Sequence, residues 1–293
     1  MKQKAAIEAK NSGSGGNEDA TAELIGMLDG TGTSFTVPEG TTEICDYAFY
    51  ERTKLTDISL PSSLTRIDNY AFQSCWELAL TSLPSSLTFL GERAFSSCRK
   101  LALTSLPSSL THIGQNAFYD NYKLALTSLP SSLTYIHKYA FYNCRKLALT
   151  SLPSGITGIG QGAFEYCLEL ALTSLPSGIT SIGNSAFVHC EKITLTSLPS
   201  SLKTIGSCAF EDCHAIEHLT LPSSLTSISI YAFRNCKSLT TMTFEGTPTT
   251  ISSGIFNDCT KLTTINVPWA EGAVANAPWG ATNATINYNY TEG

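Results

Sequence analysis

Charge is scarce in this sequence. Lysine, arginine, aspartate and glutamate make up 14% of its 293 residues, against about 25% in an ordinary soluble globular chain. With a net charge of −6, it lacks the basic excess that binds nucleic-acid phosphates or an anionic membrane face. No run of about 18 apolar residues occurs, so no membrane insertion is expected. The opening MKQKAAIEAKNSGSGG starts basic but has no apolar stretch of about 7–15 residues, as a secretory signal requires. The chain is therefore expected either not to use that route or to begin downstream of its signal. The strings of catalysis are missing too: no G-x-S-x-G elbow, no H-E-x-x-H and no Walker-type glycine loop. Aspartate and glutamate are scattered, with no pair set for acid–base work. No enzyme, catalytic residue or cofactor is expected.

Repetition is what the sequence does have. Phenylalanine recurs every 23 residues from Phe49 to Phe256, ten times without insertion or deletion, and alanine precedes it nine times, Ile255 standing in the tenth. With that phenylalanine as position 0, the unit reads L-T-x-I-G-x-x-A-F-x-x-C-x-x-L-x-L-T-S-L-P-S-S. A period of 20–29 residues with this leucine spacing belongs to leucine-rich repeats. One such coil cannot bury its apolar face alone, so coils stack around a shared core. The proline at +12, from Pro61 to Pro222, ends a strand because it donates no hydrogen bond, and the glycine after isoleucine suits a tight corner. The expected fold is a repeat solenoid: a right-handed, β-rich stack of ten 23-residue coils with short helical or 3-10 turns. The array should run from Ser34-Phe35-Thr36-Val37-Pro38 to Ile265-Asn266-Val267-Pro268, over residues 34–268. Residues 1–33 should be a flexible segment with a possible cap, and 269–293, with Trp269 and Trp279, a C-terminal cap.

The string Leu-Pro-Ser-Ser-Leu-Thr-x-Ile-Gly-x-x-Ala-Phe-x-x-Cys resembles the cysteine-ended repeats of BspA-like leucine-rich-repeat proteins, over about four fifths of the chain. The resemblance implies a surface adhesin or host-protein binder, at a cell surface or outside the cell, with a protein or glycan as partner. The short ends also resemble those of phage or prophage tail-type proteins, which would imply a structural or receptor-binding role, or a cytoplasmic or phage-associated location.

Eight of the ten cysteines stand at +3: Cys75, Cys98, Cys144, Cys167, Cys190, Cys213, Cys236 and Cys259, with Arg52 and Asn121 in the same slot elsewhere. A residue on every rung is a structural column, and free cysteine packs as a small hydrophobe. Rungs about 4.7–4.9 Å apart hold β-carbons farther apart than the roughly 3.8 Å of a disulfide, so free thiols are expected. Cys208, Cys213, His214 and His218, and His189 beside Cys190, invite a metal reading. But the ladder cysteines should point inward and their histidine neighbours outward, with no second C-x-x-C pair. No metal site is expected, and a buried thiol should be inert.

Constant columns make the core, so variable columns make the surface. At −6 stand Arg66, Phe89, His112 and Tyr135, and at +4 stand Trp76, Arg99, Tyr122 and Arg145. Both columns are aromatic or basic in repeats two to five and bland afterwards. Trp, Tyr and Arg dominate interface hot spots, so Trp76, Arg99, Tyr122, Arg145, Phe89, His112 and Tyr135 are the candidate ligand-contacting surface. The alternative is that these side chains only cover their neighbouring coils. The strand raises a second question. Leu80, Leu103, Leu126, Leu149, Leu172 and Leu195 stand at +8, whereas Ile58, Leu219, Met242 and Ile265 stand at +9. A one-residue shift moves a side chain to the other face, so either the middle coils expose a leucine stripe or a bulge turns it inward, the outcome that solubility favours.

Overall fold

A computed structural model describes residues 32–291. All but residues 32 and 33 of the expected N-terminal segment, 1–33, lie outside the described residues. The chain forms two compact units. The first runs through Leu133 and includes Tyr139–Leu147, and the second comprises Thr134–Lys138 and the chain from Ala148 onward. Both are parallel β-solenoids, about 11 turns in all. Among the described residues no helix is long and apolar enough to cross a membrane.

In the first unit, β1 (Ser34–Thr36), β2 (Glu43–Ile44), β3 (Asp57–Ser59), β4 (Arg66–Ile67), β5 (Phe89–Leu90) and β6 (His112–Ile113) form two parallel sheets, ordered β1-β3 and β2-β4-β5-β6. The second holds β7 (Gly158–Ile159), β8 (Ser181–Ile182), β9 (Thr204–Ile205), β10 (His218–Leu221), β11 (Ser227–Ile228), β12 (Thr241–Phe244), β13 (Thr250–Ile251), β14 (Thr264–Asn266) and β15 (Thr285–Asn287). Its sheets are ordered β13-β11-β9-β8-β7 and β10-β12-β14-β15. Partners such as Arg66 and Phe89, or Ser181 and Thr204, are 23 residues apart, so the sequence period is the register itself.

The turns around the phenylalanine are not the expected helical or 3-10 pieces; no helix occurs among the described residues. Positions −2 and +2 take positive φ in every repeat, as at Tyr70 (60°) and Ser74 (62°) or Ser185 (55°) and His189 (56°). A left-handed residue every fourth position stops a helix from propagating. It also turns alternate N–H groups along the stack: Arg93, Phe95 and Ser97 donate to the carbonyls of Gln115, Ala117 and Tyr119 at 2.7–2.9 Å. Hydrogen bonds that a helix would have kept inside one coil join successive coils instead.

The phenylalanines line the core. Neighbouring rings lie 5.0–6.0 Å apart and within 12° of parallel from Phe49 to Phe141 in the first unit. They lie 5.3–6.1 Å apart from Phe164 to Phe256 in the second. All eight ladder cysteines are buried and free, and their role is more specific than packing. The Cys98 S–H donates to the carbonyl of Phe72, and that of Cys190 to Phe164, each at 3.0 Å. Asn121 makes the same bond from Nδ2 to Phe95 at 2.8 Å, which explains how an amide stands in the ladder.

The leucine question is settled by a bulge. Leu103, Leu126, Leu149 and Leu172 are fully buried, while the Thr-Ser pair after each protrudes into solvent. Residues +8 and +11, an odd three apart, can both face inward only because the two between them loop out. The ladder is correspondingly reduced there: Ala102 and Ala125 donate to Leu80 and Leu103 with an offset of 22 instead of 23. Regular strand on this face is confined to the ends, where the apolar residue stands at +9.

Glycine at −4 answers a close approach. A β-carbon at Gly183 would lie 2.6 Å from the backbone nitrogen of Gln161, and one at Gly114 would lie 2.6 Å from the carbonyl carbon of Gly91. The low charge is explained by hydroxyl ladders. Thr88 and Thr111 Oγ1 donate to the carbonyl 23 residues earlier, and Ser86 and Ser109 to the one 22 earlier.

Candidate functional site

The left-handed residue at +2 and the inward thiol at +3 leave +4 pointing to solvent, so the chemistry of that column is free to vary. In the first unit it builds a row. The Arg99 guanidinium lies 5.5 Å from the Trp76 ring centre and 6.0 Å from that of Tyr122, and Arg145 lies 5.3 Å from Tyr122 on the next rung. Arg145 Nε also donates to Asn143 Oδ1 at 2.8 Å. Tyr122 thus has a guanidinium on each face, whereas Trp76, 44% exposed, has one only on its Arg99 side. Lys100, Lys123 and Lys146 follow at +5, all exposed.

The −6 column behaves differently. Arg66 lies 3.9 Å over Phe89, which stacks on His112 at 4.7 Å and 5°. The charge of Arg66 is already answered by Asp68 at 2.6 Å. Tyr135 belongs to the second unit. There its ring meets His137 edge-on at 5.1 Å and covers Gly158, whose absent β-carbon would lie 2.7 Å from Cε2. Burial holds the His137 imidazole below its usual range. The structure therefore brings Trp76, Arg99, Tyr122 and Arg145 together as one row and Phe89 with His112 as a second pair; Tyr135 is described apart from both.

The histidine–cysteine group spreads to separate places. Cys190 and Cys213 donate inward to phenylalanine carbonyls. His189 and His214 each approach Asp212, at 3.6 and 3.5 Å, and His218 meets Thr240 Oγ1 at 3.0 Å. Cys208 is half-buried. Desolvation, then hydrogen bonding to Glu211, pushes its thiol up to about 12. Among the described residues no three of these groups share a point that could hold an ion.

Two features escaped the sequence reading. Tyrosines flank the core phenylalanine: Tyr47 stacks on Tyr70 at 4.8 Å and Tyr119 on Tyr142 at 4.4 Å. Each pair is 23 residues apart, a signal available from the period. Less legible is Glu165, whose carboxyl is pushed up to about 7 by burial and then by the charge of Glu211 two coils on. Glu211 is itself held by Arg234 at 2.5 Å.

The profile of the BspA-type leucine-rich repeat region, in six copies, matches residues 31–148 and 157–272. No curated protein matches the chain. A leucine-rich repeat protein from Bacteroides ovatus is 22% identical, with a TM-score of 0.55 over 89% of this chain and 76% of that one. The pneumococcal vaccine antigen PcpA is 19% identical, with a TM-score of 0.51 over 88% and 80%. A leucine-rich cell surface protein from Faecalibacterium prausnitzii is 23% identical over 86% and 83%, with a TM-score of 0.47. At these identities the likeness is one of fold.

Proposed function

Because the chain belongs to the BspA-type leucine-rich-repeat family, we propose that it is a non-catalytic binding module of a cell surface or its exterior, recognising a protein or glycan partner. The observation that carries this reading is the contrast between columns. Hydroxyls, thiols and carbonyls are consumed coil by coil in the inter-coil bonds described above, while the +4 row of the first unit keeps Trp76, Arg99 and Arg145 exposed and Tyr122 partly so. Truncating exposed aromatics and arginines that serve no core is costly only where they meet something else. Trp76, Arg99, Tyr122 and Arg145 form the proposed contact surface, with Phe89 and His112 on the neighbouring column and Tyr135 as a separate candidate. The test is a screen of the purified chain against matrix proteins, mucins and glycans, repeated with the double substitution Arg99→Gln/Arg145→Gln. A partner whose affinity falls with the double variant supports the surface. Unchanged affinity, with only a small loss of thermal stability, would make the row structural.

A further inference from the structure

The charges in the first unit divide sharply into those that have partners and those that do not. Arg66 pairs with Asp68, Arg93 with Glu92, and Lys100 with Glu77. Among the described residues Arg99, Lys123, Arg145 and Lys146 have no carboxylate partner. All four are exposed, and they occupy adjacent columns, +4 and +5, on coils three to five. In a chain of net charge −6, four positive charges without a carboxylate partner thus stand together on one strip of the first unit, aligned with the direction in which the coils stack.

Resting on the binding-module reading, we propose that this strip takes a linear acidic polysaccharide whose charged residues alternate with uncharged ones, lying along the stack. Three observations select that occupant. The guanidiniums of Arg99 and Arg145 are two rungs apart, about 9.6 Å at the spacing of stacked strands, with the Tyr122 ring between them. One sugar residue advances a linear glycan by a length close to one rung, so a carboxylate on every second sugar meets every second coil. An extended acidic peptide instead presents same-face side chains about 6.6 Å apart and falls out of step. Second, an exposed guanidinium fork matches a carboxylate bidentately, and both forks are pre-oriented by their rings. Third, Tyr122 is covered on both faces by guanidinium and cannot stack on a sugar. Trp76, at the end of the row, has only one face so covered and is placed to stack on a terminal ring. The arginines carry the affinity, the lysines add charge, and the tryptophan sets where the chain ends.

Binding of the full chain is measured at low and physiological salt to hyaluronan oligosaccharides of increasing length, to poly-glutamate and to neutral dextran. Hyaluronan should bind in a salt-weakened manner. Among oligosaccharides built of whole disaccharide repeats, affinity should appear at the tetrasaccharide, the first with two uronates, and dextran should not bind. Arg99→Gln/Arg145→Gln should weaken binding at least about tenfold, as expected for two charge-assisted hydrogen-bonding groups. Lys123→Gln/Lys146→Gln, which touches no ring contact, should weaken it less and leave melting unchanged. No hyaluronan binding, or binding indifferent to the arginines, overturns the proposal. If poly-glutamate binds as tightly and is lost with the arginines, the strip remains a binding surface and its occupant is a polypeptide, which overturns the polysaccharide but not the function.

Discussion

The thiol at +3 gives a phenylalanine carbonyl its second hydrogen bond: the Phe72 oxygen accepts from the Cys75 N–H at 3.1 Å and from the Cys98 thiol at 3.0 Å. Burial pushes the thiols of Cys98, Cys190 and Cys213 above their usual range, which removes the thiolate needed for attack or oxidation. Cys45 and Cys208 are raised as well but are only half-buried, so access separates them: an alkylating reagent should modify them slowly in the native protein and the other eight cysteines only after unfolding. Rapid modification of most thiols in the native state would contradict the ladder. A second residue-scale test concerns the left-handed positions. Ser97 (φ 59°) lies in a region where a β-carbon costs about 1–2 kcal/mol. Ser97→Gly should raise stability by about 0.5–1 kcal/mol and Ser97→Val should lower it by a similar amount or more, read from denaturant midpoints. Glu165 supplies a pH dependence. Its folded-state carboxyl titrates at about 7, above the model-peptide value of 4.5. The favourable protonated form is present in full below about 4.5, and its contribution is lost as pH rises through 7. Glu165→Gln should leave stability unchanged at pH 4 and raise it at pH 8, by about 1 kcal/mol after discounting for solvent screening of a half-buried group. An equal effect at both pH values would show that the Glu165 carboxyl titrates no differently in the folded and unfolded chain.

At the scale of elements, what the sequence displayed depended on whether position alone or local geometry decides the outcome. Core phenylalanines, ladder cysteines and the 23-residue register were legible because each is imposed on every coil. The irregular Leu-Ala-Leu-Thr-Ser-Leu stretch left two readings open, since alternation alone cannot tell a shifted strand from a bulged one; only the exposed Thr-Ser pairs and the 22-residue offset decide it. The turn conformation was misread because left-handed tyrosine and arginine are not turn formers by propensity; at Tyr70 and Arg93 they are held there by the next coil's carbonyls. Of the candidate row, the chemistry, the spacing and the alternation that lets each arginine lie over an aromatic face were readable from the column, but not that Arg66 would be neutralised. Packing at this scale is tested by Gly183→Ala. Its β-carbon would be 2.6 Å from a backbone nitrogen, where no flexible side chain can yield, so a loss of about 1–3 kcal/mol is expected. Phe141→Ala, which deletes a fully buried ring stacked on Phe118, should cost about 3–5 kcal/mol.

For the whole molecule, a stack of coils has stability that is a sum of coil and neighbour terms, so its ends matter out of proportion to their length. The C-terminal end is closed by a residue that keeps the period while abandoning the repeat. Trp279 stands 23 residues after Phe256 and is completely buried. Its carbonyl accepts from the Phe256 N–H at 3.0 Å, and its indole N–H donates to Ala275 at 2.8 Å. Trp269 meets it edge-on at 6.3 Å, and Phe244 lies 6.0 Å away. One side chain therefore fills the phenylalanine slot one period after Phe256 and satisfies its own polar atom; we propose that it acts as a terminal seal. Trp279→Ala should remove about 3–5 kcal/mol locally. Because coils touch only their neighbours, that loss should not be spread over the chain. Hydrogen exchange should accelerate first at Phe256, Cys259 and the strand Thr264–Asn266, then at progressively earlier coils of the second unit, with amides around Phe72 and Phe95 protected longest. Uniform acceleration across both units would mean that the chain unfolds as one cooperative body, and that Trp279 is an ordinary core residue and not a terminal seal.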